Sequence, residues 1–141
     1  MIARTASARY EGLGKDGKGW VSTASGVLEE ARYGFGTRFE NEPGTNPEEL
    51  VAAAHASCFT MALSFALAKE GLGEGTLETT ARVTLEKDGE GFTVTRSDLS
   101  LKASVAGIDE PRFREIAEAA KAGCPISKLL DAEMDLEIRF G

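Results

Sequence analysis

The chain has 141 residues, a hydrophobic content of 42% and a formal net charge of -7. This length and apolar content suit one domain, residues 1–141, with a hydrophobic core of its own. The acidic charge and the lack of a basic cluster exclude the phosphate-binding surface of a nucleic-acid binder and argue against a membrane-surface role. The N-terminus has no apolar run like that of a signal peptide, so we expect a cytoplasmic protein.

The first 40 residues predict short strands separated by glycines. Three segments have this pattern: "IARTASARYEG", "GKGWVSTASGVL" and "RYGFGTRFE". The loop "NEPGTN" then leads into a helix start, where Asn46 can cap, Pro47 suits the first helical position and Glu49 completes a capping box. We expect this helix to cover residues 47–70 and to stop at Gly71.

The second half predicts a hairpin, two helices and a final strand. "TLETTARVTLEKDGEGFTVTRSDLSLKASVAG" has a period of two around the turn "KDGEG". One face of its first strand holds Leu77, Thr79, Ala81, Val83 and Leu85. "DEPRFREIAEAAKAG" and "CPISKLLDA" predict helices, and "EMDLEIRFG" predicts an antiparallel strand with one solvated face. The fold class is therefore α+β, with antiparallel sheets packed around a long central helix.

The central helix carries no charge over residues 50–68, and small or apolar residues point in every direction. Such a helix must be covered on all sides. Its length would just span a bilayer, but its many alanines, the polar His55 and Thr60 and the amphipathic remainder of the chain argue against a membrane. A domain this small is unable to cover the helix alone, so we predict a homodimer that buries it.

The chain has two cysteines, Cys58 and Cys124, which lie 66 positions apart. This is too few for a small disulfide scaffold, and a single histidine leaves too few ligands for a typical zinc site, so no metal or other cofactor is predicted. A cysteine in an apolar helix is often an inert core residue. Cys124, however, precedes Pro125 at a helix start, where backbone N–H groups stabilise a thiolate. The two thiols suit a nucleophile and a resolving partner, although their spacing does not show that they meet.

A thiol that reduces peroxides needs a nearby cation, because an unperturbed thiol is mostly protonated at neutral pH. Arg38 in "YGFGTRFE" is the candidate. Glu48 or Glu49 could hold its guanidinium in place. The alternative is a solvated arginine at a strand edge and two acids that only complement the helix dipole.

Two other classes of function stay open at this point. His55 lies three residues before Cys58, which would allow a Cys–His thiol hydrolase. Side chains at this spacing lie side by side and are not aimed at each other, and no third orienting group is evident. The other class is a non-catalytic dimeric domain that binds a small apolar ligand, with both cysteines as core residues.

Three separated motifs resemble one known family. "YGFGTRFE", "GTNPEELVAAAHASCFTMALS" and "AGCPIS", in this order and spacing, resemble the OsmC/Ohr family of thiol-dependent hydroperoxide reductases, and so does the opening "YEGLGKDGKGWVSTASGVL". The arginine within "GTRFE" is similar to that of the OsmC (osmotically inducible protein C) branch. The resemblance implies an intertwined homodimer with two active sites at the subunit interface. It also implies that Cys58 is the peroxidatic cysteine, Cys124 the resolving cysteine, Arg38 the activating arginine and Glu48 its carboxylate partner.

This assignment has a geometric consequence. Glu48 and Cys58 are ten residues apart, which is about 15 Å along one continuous helix. If both serve one site, either the acid comes from the other subunit or the helix is broken. The expected reaction reduces an organic hydroperoxide to an alcohol through a Cys58 sulfenic acid and a Cys58–Cys124 disulfide. An external dithiol, which the resemblance suggests is of lipoyl type, then reduces the disulfide.

An apolar substrate pocket is also expected, since aromatic and thioether side chains lie near the candidate residues in the sequence. Such a pocket would favour organic hydroperoxides over hydrogen peroxide. The side chains expected to line it are Phe59, Met61, Phe35 and Phe39.

Overall fold

The computed structural model describes the whole chain, Met1–Gly141. The chain divides into an N-terminal unit, Met1–Leu50, and a C-terminal unit, Val51–Gly141. Each unit holds one three-stranded sheet. That the chain forms one domain stays a prediction.

The N-terminal unit contains strands β1 (Ala6–Glu11), β2 (Lys18–Thr23) and β3 (Ala31–Tyr33). They form an antiparallel sheet in the order β1–β2–β3, as the glycine-separated segments predict. Every residue of β1 is exposed, and Gly19 is the only buried residue of the three strands. An antiparallel sheet normally has one face on a core. This sheet therefore has no buried apolar layer within one chain.

The segment predicted as a third strand, "RYGFGTRFE", is a strand only as far as Tyr33. Residues Phe35–Phe39 form helix α1 instead, so this part of the prediction was wrong. The Gly34 N–H donates to Thr37 Oγ1 at 2.8 Å, and the Thr37 hydroxyl donates to the Gly34 carbonyl at 3.1 Å. A threonine that bonds nearby backbone groups offers the chain an alternative to a strand ladder. Arg38 consequently lies on a helical turn.

The long helix α2 covers Pro47–Lys69, one residue short of the predicted end. The Asn46 side chain accepts a hydrogen bond from the Glu49 N–H at 2.8 Å, as expected for an N-cap. At the other end Gly71 has a φ of 84°, the left-handed conformation that commonly follows a helix. The prediction is confirmed, and the helix is unbroken.

The C-terminal unit contains β4 (Gly75–Asp88), β5 (Gly91–Val105), helices α3 (Glu110–Gly123) and α4 (Pro125–Leu129), and β6 (Leu136–Phe140). β4 and β5 form the predicted antiparallel hairpin. The face of β4 that the period-two pattern marks as apolar is partly buried at all five positions.

β6 pairs with β5 in parallel, so the expectation of an antiparallel final strand and of wholly antiparallel sheets was wrong. The chain leaves β5, passes through α3 and α4, and returns to the same sheet edge. A connection of this length and helical content allows a parallel pair, whereas a hairpin would give an antiparallel one. The alternation itself is confirmed, since Ile138 is buried and its two neighbours are exposed.

α2 contributes a single stripe to the core of the C-terminal unit. The stripe consists of residues four apart: His55, Phe59, Leu63 and Leu67. The core also contains Leu99, Leu101, Ala103, Phe113, Ile116, Ala117, Ala120, Cys124 and Ile138. On the uncovered side of α2, Met61 is 61% and Phe65 is 65% exposed. One chain thus covers only part of this apolar helix.

By length and composition alone, α2 could cross a membrane, since it is 23 residues long with a mean hydropathy of 1.7. Core helices of proteins outside membranes meet the same criteria. The buried stripe of α2 is the feature of a core helix. The expectation that the protein has no membrane role stays a prediction.

Candidate functional site

The two cysteines meet in the C-terminal unit. Cys58 lies on α2, and Cys124 is the single residue between α3 and α4. Both are free thiols, and a side-chain hydrogen bond joins their sulfurs. The spacing of the two cysteines in the sequence leaves their proximity open. The fold resolves it, because the junction of two helices lies against the middle of a third.

Cys124 lies in surroundings that favour its thiolate. Its side chain is completely buried, which by itself raises the pKa of a thiol. Against this burial, hydrogen bonds from the Cys58 thiol, from the Ser127 N–H and hydroxyl, and from the Ile126 N–H hold the pKa of Cys124 below its usual value. The N–H groups are those of the first turn of α4, as expected for a cysteine at this position.

The pKa of the Cys58 thiol is shifted in the opposite direction. Burial raises the pKa of Cys58, and so does the hydrogen bond that it donates to Cys124, while the Ile126 N–H acts in the other direction. When the pair loses one proton, the negative charge therefore resides mainly on Cys124. A nucleophilic Cys58 needs an additional cation.

Arg38 and Glu48 form an ion pair in the N-terminal unit. Arg38 Nε donates to Glu48 Oε1 at 2.6 Å, and the side chains are 35% and 13% exposed. Glu49, the other candidate acid, accepts a hydrogen bond from the Thr45 hydroxyl at 2.7 Å. The structure thus selects Glu48 as the acid that orients the Arg38 guanidinium.

Arg38 also borders a cavity of about 320 Å³ in the N-terminal unit. Its lining includes Tyr10, Tyr33, Phe35, Phe39 and Lys15. The Tyr10 and Tyr33 rings meet edge to face, with centroids 6.1 Å apart. Gly19 makes room for the Tyr33 ring, because a Cβ there would lie 2.6 Å from a carbon of that ring. The cavity combines apolar walls with a cation.

Two of the four side chains expected to line an apolar pocket do line this cavity, namely Phe35 and Phe39. Phe59 does not line an open pocket, since it is 0% exposed and belongs to the core. Met61 borders a different, shallow cleft of the C-terminal unit. The expectation was wrong for Phe59, because a residue four positions from His55 and from Leu63 on α2 faces the core stripe.

His55 is completely buried and bonded at both ring nitrogens. Nδ1 lies 2.6 Å from Ser97 Oγ, and Nε2 lies 2.8 Å from Ser127 Oγ. Burial lowers the pKa of His55, so the ring is neutral at neutral pH. With both nitrogens held by serines, His55 has none left to take a proton from Cys58. This geometry argues against the thiol hydrolase.

Several residues around these groups were not predicted from the sequence. Ser127 had a local signal, since it stands three residues after Cys124 at a helix start, a position from which side chains reach back to the cap. Tyr33 also had a signal, since it is the first residue of the motif "YGFGTRFE" that contains Arg38. Ser97 and Tyr10 had no signal, because each is one of several similar residues on an alternating strand.

Comparison with known proteins gives consistent matches over the whole chain. The family model described as OsmC-like protein matches residues 39–139. Peroxiredoxin OsmC of Escherichia coli (strain K12) is 51% identical over 139 residues, which cover 99% of this chain and 97% of the relative.

Organic hydroperoxide resistance protein OhrB of Bacillus subtilis (strain 168) is 32% identical over 124 residues, which cover 86% of this chain and 88% of that protein. The crystal structure of OhrB from Bacillus subtilis superposes with a TM-score of 0.69 at 26% identity. It covers 99% of this chain and 98% of the other.

Proposed function

The chain belongs to the OsmC-like protein family, and on this premise we propose that it is a cysteine-based, thiol-dependent peroxidase that reduces organic hydroperoxides to alcohols. The names of two relatives, a peroxiredoxin and an organic hydroperoxide resistance protein, support the class of reaction and of substrate. In this chain, the observation that carries the proposal is the contact between the Cys58 and Cys124 thiols.

The proposed cycle has three balanced steps. The Cys58 thiol and ROOH give a Cys58 sulfenic acid and ROH, as the O–O bond breaks and sulfur is oxidised. The Cys124 thiol then condenses with the sulfenic acid, which forms the disulfide and releases water. An external dithiol reduces the disulfide by exchange and is itself oxidised to a disulfide. No metal or organic cofactor takes part.

The lower pKa of Cys124 relative to Cys58 suits the second step, disulfide formation. Disulfide formation needs a nucleophilic resolving sulfur, and thiolate is the reactive form. Despite the burial of Cys124, the hydrogen bonds from Cys58, Ser127 and Ile126 together hold its pKa below the usual value. Once Cys58 carries the sulfenic oxygen, Cys124 is the thiol best placed to attack it.

The first step needs the cation, since burial and the hydrogen bond to Cys124 raise the pKa of Cys58. We assign this role to Arg38, which Glu48 holds by an ion pair at 2.6 Å. A guanidinium beside the sulfur favours the Cys58 thiolate and can donate to the departing oxygen. The aromatic cavity beside Arg38 would accommodate the organic part of the peroxide.

The activating pair is proposed to come from a second copy of the chain, in an intertwined homodimer. α2 contains both Glu48 and Cys58 and is unbroken between them, so they are separated by about 15 Å along its axis. A second copy would cover the exposed apolar side chains Met61 and Phe65 and the strand β1, in which every residue is exposed.

A cytoplasmic location and an external dithiol reductant, of lipoyl type by family resemblance, are parts of the same proposal. Two free thiols in contact suit a reducing compartment, in which the disulfide forms only as an intermediate.

Titration of the reduced protein with one equivalent of cumene hydroperoxide tests the proposal. We expect rapid loss of both thiols, one intramolecular disulfide and one equivalent of alcohol, because each peroxide takes two electrons from one cysteine pair. Hydrogen peroxide should react more slowly, since it gains nothing from apolar walls. Free thiols are counted with a chromogenic disulfide, and the alcohol by chromatography.

If the thiols react with neither peroxide, the proposed peroxidase activity would be overturned, and the non-catalytic ligand-binding domain would remain as the alternative function. Faster reaction with hydrogen peroxide would remove the role of the aromatic cavity and keep the rest of the mechanism.

Arg38→Ala is expected to slow peroxide attack by about tenfold or more at neutral pH, and to move the pH–rate profile to higher pH. The reason is the raised pKa of Cys58, whose thiolate fraction then increases only as the pH rises. Stopped-flow measurement of Cys58 oxidation across pH gives both quantities. Arg9→Ala is the matched control, because Arg9 is another half-exposed arginine of the N-terminal unit, paired with Glu30 at 2.9 Å.

Mixing the Arg38→Ala chain with a Cys58→Ser chain tests which copy supplies the arginine. In a mixed dimer, the intact Cys58 of one chain meets the intact Arg38 of the other. Random pairing should therefore restore about a quarter of the wild-type sites. Recovery of no activity, with subunit exchange verified by mass, would place Arg38 in the same chain as its cysteine.

A further inference from the structure

A row of hydrogen-bonded polar side chains, Ser97, His55 and Ser127, runs through the core of the C-terminal unit and ends at Cys124. Ser97 on β5 bonds His55 on α2 at 2.6 Å, and His55 bonds Ser127 on α4 at 2.8 Å. The Ser127 hydroxyl bonds the Cys124 sulfur. His55, Ser97 and Cys124 are completely buried, and Ser127 is 8% exposed. Buried polar groups destabilise a core unless they are hydrogen-bonded. This hydrogen-bonded row is therefore a specific arrangement within an otherwise apolar region.

Only one direction of hydrogen bonding serves Cys124 as a thiolate. The Ser127 hydroxyl has one proton, which it must donate to the sulfur anion. Ser127 Oγ then accepts from His55 Nε2–H, and His55 Nδ1 accepts from the Ser97 hydroxyl. In the reverse direction the Ser127 proton points at His55, and the sulfur loses that donor. The tautomer of His55 thus decides where the Ser127 proton lies.

We propose that His55 is a positioning residue for the resolving step, because through Ser127 it directs a hydroxyl proton onto the Cys124 sulfur. The assignment of Cys124 as the resolving thiol rests on the proposed function, whereas the hydrogen-bonded row of side chains does not. In the step itself the Cys124 sulfur attacks the Cys58 sulfenic sulfur, the S–S bond forms and the S–O bond breaks. The Cys124 thiol has first released its proton to solvent, and the departing oxygen takes up one proton from solvent and leaves as water, so no net proton is consumed and Ser127 keeps its own proton.

The test measures the pKa of Cys124 in a full-length Cys58→Ser background, where it is the only thiol and no peroxide is needed. Thiolate absorbance is followed against pH. The groups that meet the Cys124 sulfur are the residue at position 58 and the donors of Ile126 and Ser127. Both Ser127→Ala and His55→Leu should raise the pKa of Cys124 by about one unit. Ser127→Ala removes the hydroxyl that donates to the thiolate, and His55→Leu removes the N–H that directs this hydroxyl proton toward the sulfur.

The double variant separates positioning from general damage. If His55 acts only through Ser127, adding His55→Leu to Ser127→Ala should raise the Cys124 pKa no further. His55→Gln, whose amide N–H can replace Nε2–H, should restore most of the wild-type value. In the two-cysteine protein, His55→Leu should slow closure of the disulfide by about tenfold at neutral pH, with peroxide attack on Cys58 unchanged.

Thr60→Val is the matched control, since Thr60 is a part-buried hydroxyl of α2 that bonds Thr79 at 2.7 Å. It should leave the Cys124 pKa unchanged. An unchanged Cys124 pKa in either His55→Leu or Ser127→Ala, or additive shifts in the double variant, would overturn the inference. Because this titration uses no peroxide, its outcome is independent of whether the protein reduces hydroperoxides.

Discussion

Cys58→Ser is expected to abolish the reduction of organic hydroperoxides, with a loss of about 10³-fold or more in turnover. A serine hydroxyl remains protonated at neutral pH and cannot be oxidised to a sulfenic acid, so the first step has no nucleophile. Alcohol formation from cumene hydroperoxide, with an excess of a small dithiol, gives the turnover. The change replaces one sulfur by oxygen on a partly buried face of α2, and the helix should be retained.

The comparison for this prediction is Cys124→Ser, which removes the other sulfur and should still form one equivalent of alcohol per chain, whereas Cys58→Ser should form none. Circular dichroism and thermal unfolding of both variants establish that the fold is kept. Turnover of Cys58→Ser within tenfold of the wild-type value, in folded protein, would show that Cys58 is not the peroxidatic residue.

Cys124→Ser is expected to stop multiple turnover and to leave a single oxidation per chain. Cys58 can still attack the peroxide, but its sulfenic acid has no neighbouring thiol with which to condense. The trapped species is detected by mass after reaction with dimedone, or as a mixed disulfide with an added monothiol. The peroxide-attack rate is compared directly with that of the wild type, because without reductant the burst of alcohol should equal one equivalent in each.

Two outcomes would contradict this role of Cys124. Unimpaired turnover of Cys124→Ser with a dithiol would mean that the reductant attacks the Cys58 sulfenic acid directly. Absence of any oxidation would mean that Cys58 needs the Cys124 sulfur to become reactive, and the order of the two thiols in the cycle would then have to be reversed.

Much of the local structure could be predicted because it depends on neighbouring residues. The start of α2 follows from Asn46 and Pro47, and its end follows from Gly71, since caps and left-handed glycines act within a few positions. The hairpin of β4 and β5 follows from its period of two and its glycine turn. These features needed no knowledge of the remaining chain.

The predictions that were wrong concern competition between local and distant interactions. The alternation of β6 is equally compatible with parallel and antiparallel pairing, and only the return of the chain through α3 and α4 decides between them. Phe35–Phe39 has the aromatic content of a strand, but the hydrogen bonds between Thr37 and Gly34 favour a helical turn. Phe59 faces the core because of the side of α2 that the sheet covers.

By itself, the sequence determined the family motifs, the four candidate residues and the spacing of Glu48 and Cys58, because these are properties of chain order and helix rise. The tertiary structure decided that Cys58 meets Cys124, that Glu48 and not Glu49 holds Arg38, and that His55 bonds two serines. Each of these three results is a contact set by packing and side-chain direction. Sequence spacing does not specify such contacts when the partners lie far apart in the chain or side by side at one helix start.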